Sequence, residues 1–371
     1  MQLTHHINKK WKKVKDFFYL YTSGMNRKQI EQLLKKDTIE AFSYFKGKTS
    51  IDDQIPERRS LKSIIFVFKE IFISFIMQLT PARRFFYGIG IVCFIIGWIQ
   101  VDWFYIIGAF VIMNFLLALE LANKLTTRDE LEIAREIQLS LQPFKIPESQ
   151  ILSIATFSKP AKVVGGDFFD IVQPHNKRIV SILGDVSEKG ISAALYAAYA
   201  QSMFQSLSET IISPSDIMHS LNDLISKRLR DGDFITAVIA LFDLNEKSVT
   251  IARAGHNWPL YYCSGTQTIT ELKPKGISIG SFDLAPLSGQ LEEQKIHLNH
   301  GDLLLLYSDG ITEATNPQNH MFDLSGLKSA IKESINESSE TIIGRINSRL
   351  QQFVKADELQ DDATMVAFKI K

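Results

Sequence analysis

Cysteine is nearly missing from this chain: 371 residues hold two, Cys93 and Cys263. Two thiols in separate apolar settings make neither a disulfide framework nor a zinc site, and they read as small buried hydrophobes. The eight histidines are scattered, and no His/Cys pair has zinc-ligand spacing. A secretory signal peptide is not expected either. The first 20 residues carry Lys9, Lys10, Lys12, Lys13 and Lys15, with no apolar core beside them. Internal repeats and low-complexity tracts are also wanting.

Charge is the next scarcity, and it is local. The whole chain balances 41 basic against 41 acidic residues. Up to Arg84, however, there are 17 Lys and Arg against 8 Asp and Glu, which leaves 24 against 33 for the rest. A basic first part suits an anionic surface, and an acidic remainder suits cations. Between Arg84 and Glu120 the only charged side chain is Asp102. The two apolar runs, 85–101 and 103–119, have 17 residues each, near the short end of what crosses a bilayer core of about 30 Å as a helix. Asp102 falls where two such helices would turn, flanked by the interfacial aromatics Trp98, Trp103 and Tyr105. Arg83 and Arg84 precede the first run; Lys124 and Arg128 follow the second. The positive-inside bias puts both ends in the cytoplasm. A transmembrane hairpin over 83–122 is therefore expected, in the cytoplasmic (inner) membrane. The short turn leaves no room for a large external sensor.

Residues 1–82 read as a basic segment at the membrane surface. Helices are expected near 26–46, and over Leu61–Leu79 an interfacial amphipathic helix, with a third span or a helix packed in a small cytoplasmic domain as the alternatives. Nothing beyond charge points to nucleic acid, and none is expected as a partner. After the hairpin, 123–143 reads as a connecting helix ended by Pro143 and Pro147. Leu131, Ala134, Gln138 and Leu141 form a short a/d seam, widened by Ile133 and Ile137. Two readings stand for 125–142: a homodimer contact, or a helix packed on its own domain.

From 144 to 371 the texture changes. The runs ILSIATF, RIVSILGDV, FITAVIALFDL, SVTIARAG, PLYYC, DLLLLYSDG and ATMVAFKI alternate with Gly, Asn and Asp turns and read as strands. Helices fit Ser192–Leu207, Pro214–Arg230, Ser325–Asn336 and Glu340–Val354. Ser213 is the expected N-cap of the second, with Pro214 at its first position. Strands with helices grouped outside them make an α+β layered domain.

Four segments place an acid at a strand end beside glycine or a second acid: VVGGDFFD (163–170), LGDVSEKG (183–190), YSDGITEATN (307–316) and QDDATMVAFKI (360–370). Any one alone is a turn. Together they collect carboxylates where hard divalent cations find oxygen ligands. In this order GGDFFD, GDVSEKG, AGHNWP, SDGITEA and DDAT resemble the SpoIIE-like branch of the PPM (protein phosphatase 2C-like) phosphatases, over about 144–371. AREIQLSLQP (134–143) resembles the helix and proline that lead into that branch's catalytic domain.

The resemblance implies a sandwich of two antiparallel β-sheets flanked by helices, with metals in a cleft at one end. It also implies serine/threonine protein phosphatase activity by a metal-activated water, with two Mn²⁺ or Mg²⁺ ions. Asp167, Asp185, Asp309 and Asp361 are then the expected acidic ligands, and Val186 adds its carbonyl. Such acids repel one another without metal, so a loose metal-free site is expected. No Cys-x5-Arg loop offers a covalent route. Asp362, Lys189 and His256 are possible outer groups. Asp362 would orient water. Lys189 would contact phosphate or stay solvated. His256 would touch substrate, act as an acid or stabilise its turn. Asp170 is expected to be structural. Glu188 stands where the family often has Gly, and would be strained if φ there were positive. The implied substrate is a phosphorylated regulatory protein, such as an anti-sigma-factor antagonist of the STAS type. The alternative is a catalytically silent, membrane-tethered binding or scaffold module; retention of all four motif acids argues against it.

Overall fold

The computed structural model describes Lys69 and residues 72–143, 146–175, 177–281, 291–355 and 359–371. The expected helices near 26–46 lie outside these residues, as does most of the expected amphipathic helix, of which 72–78 are described as helical. The chain divides into two compact units, Met1–Leu125 and Thr126–Lys371.

In the first unit, helix α1 (Pro81–Gln100) starts with proline at a helix-compatible first position and ends at Val101 in the left-handed region. Asp102 Oδ1 accepts the Phe104 N–H at 2.9 Å and opens helix α2 (Trp103–Leu141). The helices run back antiparallel. Small residues allow the approach: a Cβ on Gly90 would touch Ile112 and Met113 at 3.4 Å, and one on Gly97 would strike Ile106. Arg83 at the start of α1 pairs with Glu120 on α2 at 2.5 Å. The charges that bound the apolar stretch thus meet at one end of the hairpin. Outward side chains such as Trp98, Phe104 and Phe110 are exposed. Both helices are long and apolar enough to cross a membrane. One unbroken helix carries both the second apolar run and the expected connecting segment.

The second unit is a four-layer α+β sandwich. Its elements are β1 (Leu152–Lys159), β2 (Phe168–His175), β3 (Arg178–Val186), α3 (Ile191–Ser208), α4 (Pro214–Ile225), β4 (Ile235–Asp243), β5 (Ser248–Ala254), β6 (Leu260–Cys263), β7 (Thr268–Glu271), β8 (Glu293–His297), β9 (Leu303–Tyr307), α5 (Asp309–Thr312), α6 (Asp323–Ser334), α7 (Ser339–Val354) and β10 (Ala363–Ile370). One sheet has the order β1-β10-β9-β6-β7 and the other β2-β3-β4-β5-β8, every pairing antiparallel. The alternation of strand side chains splits each buried strand between two cores. Leu304, Leu306, Val366 and Phe368 face Val238, Phe242, Val249 and Ile251 across the sandwich. There Phe242 and Phe368 sit with ring centroids 4.5 Å apart. Leu303, Leu305 and Met365 pack outward against α6 and α7. Val180, Ile182 and Ile239 pack outward against α3 and α4. This is why the run LLLLY is apolar without a break: both faces of β9 are buried. Fully buried Phe204 anchors α3, and burying such a ring is worth about 2–3 kcal/mol. Ser213 caps α4 by accepting the Asp216 N–H, as expected.

Candidate metal centre

Antiparallel pairing gathers the acids. In such a pair the end of one strand lies beside the start of the next. Phe168 at the start of β2 pairs with Gly184, so Asp167 and Asp185 sit at one rim. Tyr307 at the end of β9 pairs with Met365, so Asp309 meets Asp361 and Asp362 at the same rim. Asp185 pairs with Thr236 at the start of β4. The result is a cleft of about 450 Å³. Asp185, Val186, Lys189, His256, Asp309, Asp361 and Asp362 all line it. Asp167 does not line the cleft. Its two carboxylate oxygens are buried, and the charges of Asp185 and Asp362 act on it.

Glycines permit these approaches. A Cβ on Gly166 would stand 3.2 Å from Asp185 Oδ1 and from the Val186 carbonyl, so the Gly165–Gly166 turn closes onto the end of β3. A Cβ on Gly310 would run into the backbone carbonyl of Asp362, so this glycine lets α5 lie against the lead-in to β10. The left-handed backbone in GDVSEKG belongs to Gly190 (φ 91°), the N-cap of α3; Glu188 is not among the positive-φ residues and carries no such strain.

The electrostatics are those of crowded carboxylates. Burial, then the charge of Asp185, holds the Asp167 carboxyl well above its ordinary value. Burial pushes Asp185 up to about 7, helped by Asp309, Asp361 and Asp362. Asp309 is raised by burial and by Asp361. No donor meets hydrogen-bond geometry at either oxygen of Asp167, although the Thr364 and Ser308 side chains lie near enough to offset part of its rise. Buried anions without partners are costly, and this donor set of hard oxygens fits a divalent cation. As they stand, no three His, Cys, Asp or Glu side chains among the described residues are gathered tightly enough to hold an ion. The Lys189 ammonium instead lies on Asp361 Oδ2 at 2.5 Å.

Asp362 is committed elsewhere. Its Oδ1 accepts the Ala161 N–H at 2.7 Å and its Oδ2 the Gly166 N–H at 2.6 Å, so it holds the turn that carries Asp167. His256 is buried, with Nδ1 2.9 Å from Thr236 Oγ1 and Nε2 unpartnered. Burial, with the nearby Arg253 charge, lowers it to about 3, so the imidazole is neutral at physiological pH. Asp170 lies away from the cleft and is structural: it accepts from Gln205 at 2.6 Å and from the Ile171 N–H at 2.7 Å.

Two contributors were not expected from sequence. Gln138 on α2 bonds Gly165 both ways: its Nε2 donates to the Gly165 carbonyl at 2.8 Å, and its Oε1 accepts the Gly165 N–H at 3.2 Å. The available signal was a polar residue inside an otherwise apolar seam. Arg253 donates to the carbonyls of His256 (2.7 Å), Pro274 and Gly276, which fixes the AGHNWP turn. A lone cation at the end of an apolar strand was its signal.

A two-sheet sandwich with outer helices, its acids gathered at one rim, defines the protein phosphatase 2C-like (PPM) class of serine/threonine protein phosphatases. The fold matches the SiaA-PP2C domain of Pseudomonas aeruginosa at a TM-score of 0.58 and 19% identity, over 67% of this chain and 98% of that domain. It also matches the phosphatase domain of SpoIIE from Bacillus subtilis, together with a fragment of its regulatory domain, at a TM-score of 0.52 and 18% identity, over 60% and 64% of the two chains. By sequence, 31% of 250 aligned residues are identical to the phosphoserine phosphatase RsbU of Bacillus subtilis, covering 66% of this chain and 71% of that one. A second relative, the phosphoserine phosphatase RsbP of the same organism, is 28% identical over 67% of this chain and 59% of its own length. The family model for stage II sporulation protein E (SpoIIE) matches residues 175–371. The chain belongs to the SpoIIE family.

Proposed function

We propose that this chain is a membrane-anchored phosphatase that removes phosphate from phosphoserine or phosphothreonine on a regulatory protein, using two Mn²⁺ or Mg²⁺ ions. The observation that carries the reading is the set of partnerless or mutually repelling acids at one rim, Asp167, Asp185, Asp309 and Asp361. These acids, with the Val186 carbonyl, would hold the ions. Two such ions supply charge neutralisation at phosphorus and a water of lowered pKa. The chain's own groups do the remaining work. Asp362 through Gly166 and Gln138 through Gly165 hold the turn at these glycines, and Asp167 with it. His256, neutral and buried, supports the turn beside the cleft and is not the proton donor. The RsbU and RsbP names support phosphoserine as the substrate group. A STAS-type antagonist remains the protein class we favour.

The two apolar helices support a hairpin in the cytoplasmic membrane, with both ends and the phosphatase domain on the cytoplasmic side. Leu131, Ala134, Gln138 and Leu141, the expected seam, are partly buried, while Ile133 and Ile137 are each 57% exposed. A homodimer through this helix would therefore use Ile133 and Ile137. Residues 1–82 would serve as a membrane-surface segment that modulates activity.

The test is phosphate release from p-nitrophenyl phosphate and a phosphoserine peptide by the full chain in detergent, with Mn²⁺, Mg²⁺ or EDTA. Activity should require metal and should vanish in Asp185→Asn and Asp309→Asn. A folded, metal-loaded wild type that releases nothing overturns the reading and favours a binding module. The 124–371 fragment should keep metal-dependent activity with altered regulation.

A further inference from the structure

Resting on the phosphatase reading, we propose that Lys189 is a catalytic residue, the cation that receives the substrate phosphate. The argument begins with charge. The cleft is lined by five acids, Asp185, Glu188, Asp309, Asp361 and Asp362, and Asp167 lies just behind them. Two divalent cations leave that set still negative, yet a phosphomonoester arrives as a dianion. Among the residues that line the cleft, Lys189 is the one cationic side chain. Two arginines elsewhere in the domain do not take this place. Arg253 spends its guanidinium on three backbone carbonyls, and Arg230 is held by Asp233 at 3.1 Å and does not line the cleft.

Lys189 is placed and free enough for the role. Its ammonium reaches Asp361 Oδ2 at 2.5 Å, so its tip lies over one of the acids that would hold an ion. Its side chain is 52% exposed, and half-exposed ion pairs are weak and readily broken. A metal ion held by Asp361 would displace the Lys189 ammonium from that carboxylate. The ammonium, a compact charge on a flexible four-carbon stem, then turns to the anion bound next to it. Gly190, which follows it at φ 91°, sets the chain turn that projects Lys189 from the start of α3 toward the rim.

The experiment compares wild type, Lys189→Met and Lys189→Arg as full-length protein in detergent. Three quantities are read: kcat and KM on p-nitrophenyl phosphate with Mn²⁺, the dissociation constant of inorganic phosphate by calorimetry on Mn²⁺-loaded protein, and the Mn²⁺ dissociation constant without phosphate. In Lys189→Met, KM and the phosphate dissociation constant should both rise about tenfold, which is the loss of one charge-assisted contact. Its Mn²⁺ affinity should stay equal or tighten, because Asp361 loses a competitor. Lys189→Arg should recover most of the phosphate affinity. Unchanged phosphate affinity in folded, Mn²⁺-binding Lys189→Met overturns the role. So does Mn²⁺ affinity that weakens in step with phosphate affinity, since that marks a structural residue. A wild type that binds Mn²⁺ but hydrolyses nothing removes the phosphatase reading itself, and the proposal with it.

Discussion

Taking one negative charge out of the metal-free cleft should stabilise the catalytic domain while ending its response to metal. Asp185 makes this quantitative. Its carboxyl titrates near 7 in the folded protein, raised by burial and by its acidic neighbours, against an ordinary 3.8. The folded form therefore holds a proton that the unfolded chain has released. The advantage is complete below the unfolded value and is lost as pH rises through the folded one. At about 1.4 kcal/mol per pH unit, the whole window amounts to about 4 kcal/mol, of which roughly 3 kcal/mol falls between pH 5 and 8. The assay is amide hydrogen exchange in β3 and β4 of the full chain in detergent with EDTA, corrected for intrinsic exchange at each pH. Those strands are buried along most of their length, so they report opening of the domain. Wild type should lose about a hundredfold in protection from pH 5 to 8. Asp185→Asn, neutral throughout, should keep most of it. Mn²⁺ should slow exchange in wild type and do little to the variant. Equal protection at both pH values in wild type, with Asp185→Asn no slower at pH 8, would refute the claim that acid crowding strains this rim.

Gly310→Ala should push the lead-in of β10 away from α5, at a cost of about 1–3 kcal/mol, because the added carbon meets backbone that has no rotamer to yield. Calorimetry should show weaker Mn²⁺ binding, and binding equal to wild type would count against the contact. Asp362→Ala leaves the N–H groups of Ala161 and Gly166 without their acceptor, which should cost about 1–3 kcal/mol and raise exchange at 165–167 with β4 unaffected. His256→Gln should leave the shape of the pH–activity profile between pH 6 and 9 unchanged, because the imidazole titrates near 3. A basic or acidic limb lost in this variant would return His256 to the proton-transfer step.

The domain was readable from its texture, and the reason is its layering. Strands buried on both faces, such as β3, β4, β9 and β10, appear as unbroken apolar runs, and all seven strand-like runs became strands. Three strands went unread: β2 (Phe168–His175), whose apolar residues are broken by Asp170 and run out at Gln173 and Pro174, and the short edge strands β7 (Thr268–Glu271) and β8 (Glu293–His297), which hold one apolar residue each, too little pattern to stand apart from loop. Helix bounds shifted by a residue or two, except that the helix from Pro214 ends at Ile225 and continues as a 3₁₀ turn to Arg228. At the site, acids beside glycines marked the rim because strand ends and tight turns leave that trace. The roles of Gln138 and Arg253 did not, since each acts on backbone carbonyls or amides, most of them distant in sequence, and backbone groups have no letter to read. Asp361 and Asp362 show the same limit: two identical neighbours, one 2.5 Å from a lysine in the cleft and the other spent on two N–H groups.

The strand order has a consequence in time. β10 lies between β1 and β9, although its residues follow theirs in the chain by about 210 and 60 positions. A ribosome delivering the chain from its amino end can finish the β2-β3-β4-β5-β8 sheet early, but the other sheet lacks the strand that joins β1 to β9 until Ala363–Ile370 emerge. Asp361 and Asp362 arrive with that strand. Pairings of such long range form slowly and late. The nascent domain is therefore held inert by topology, and phosphate release becomes possible only once this strand slots into place between two that have been waiting for it.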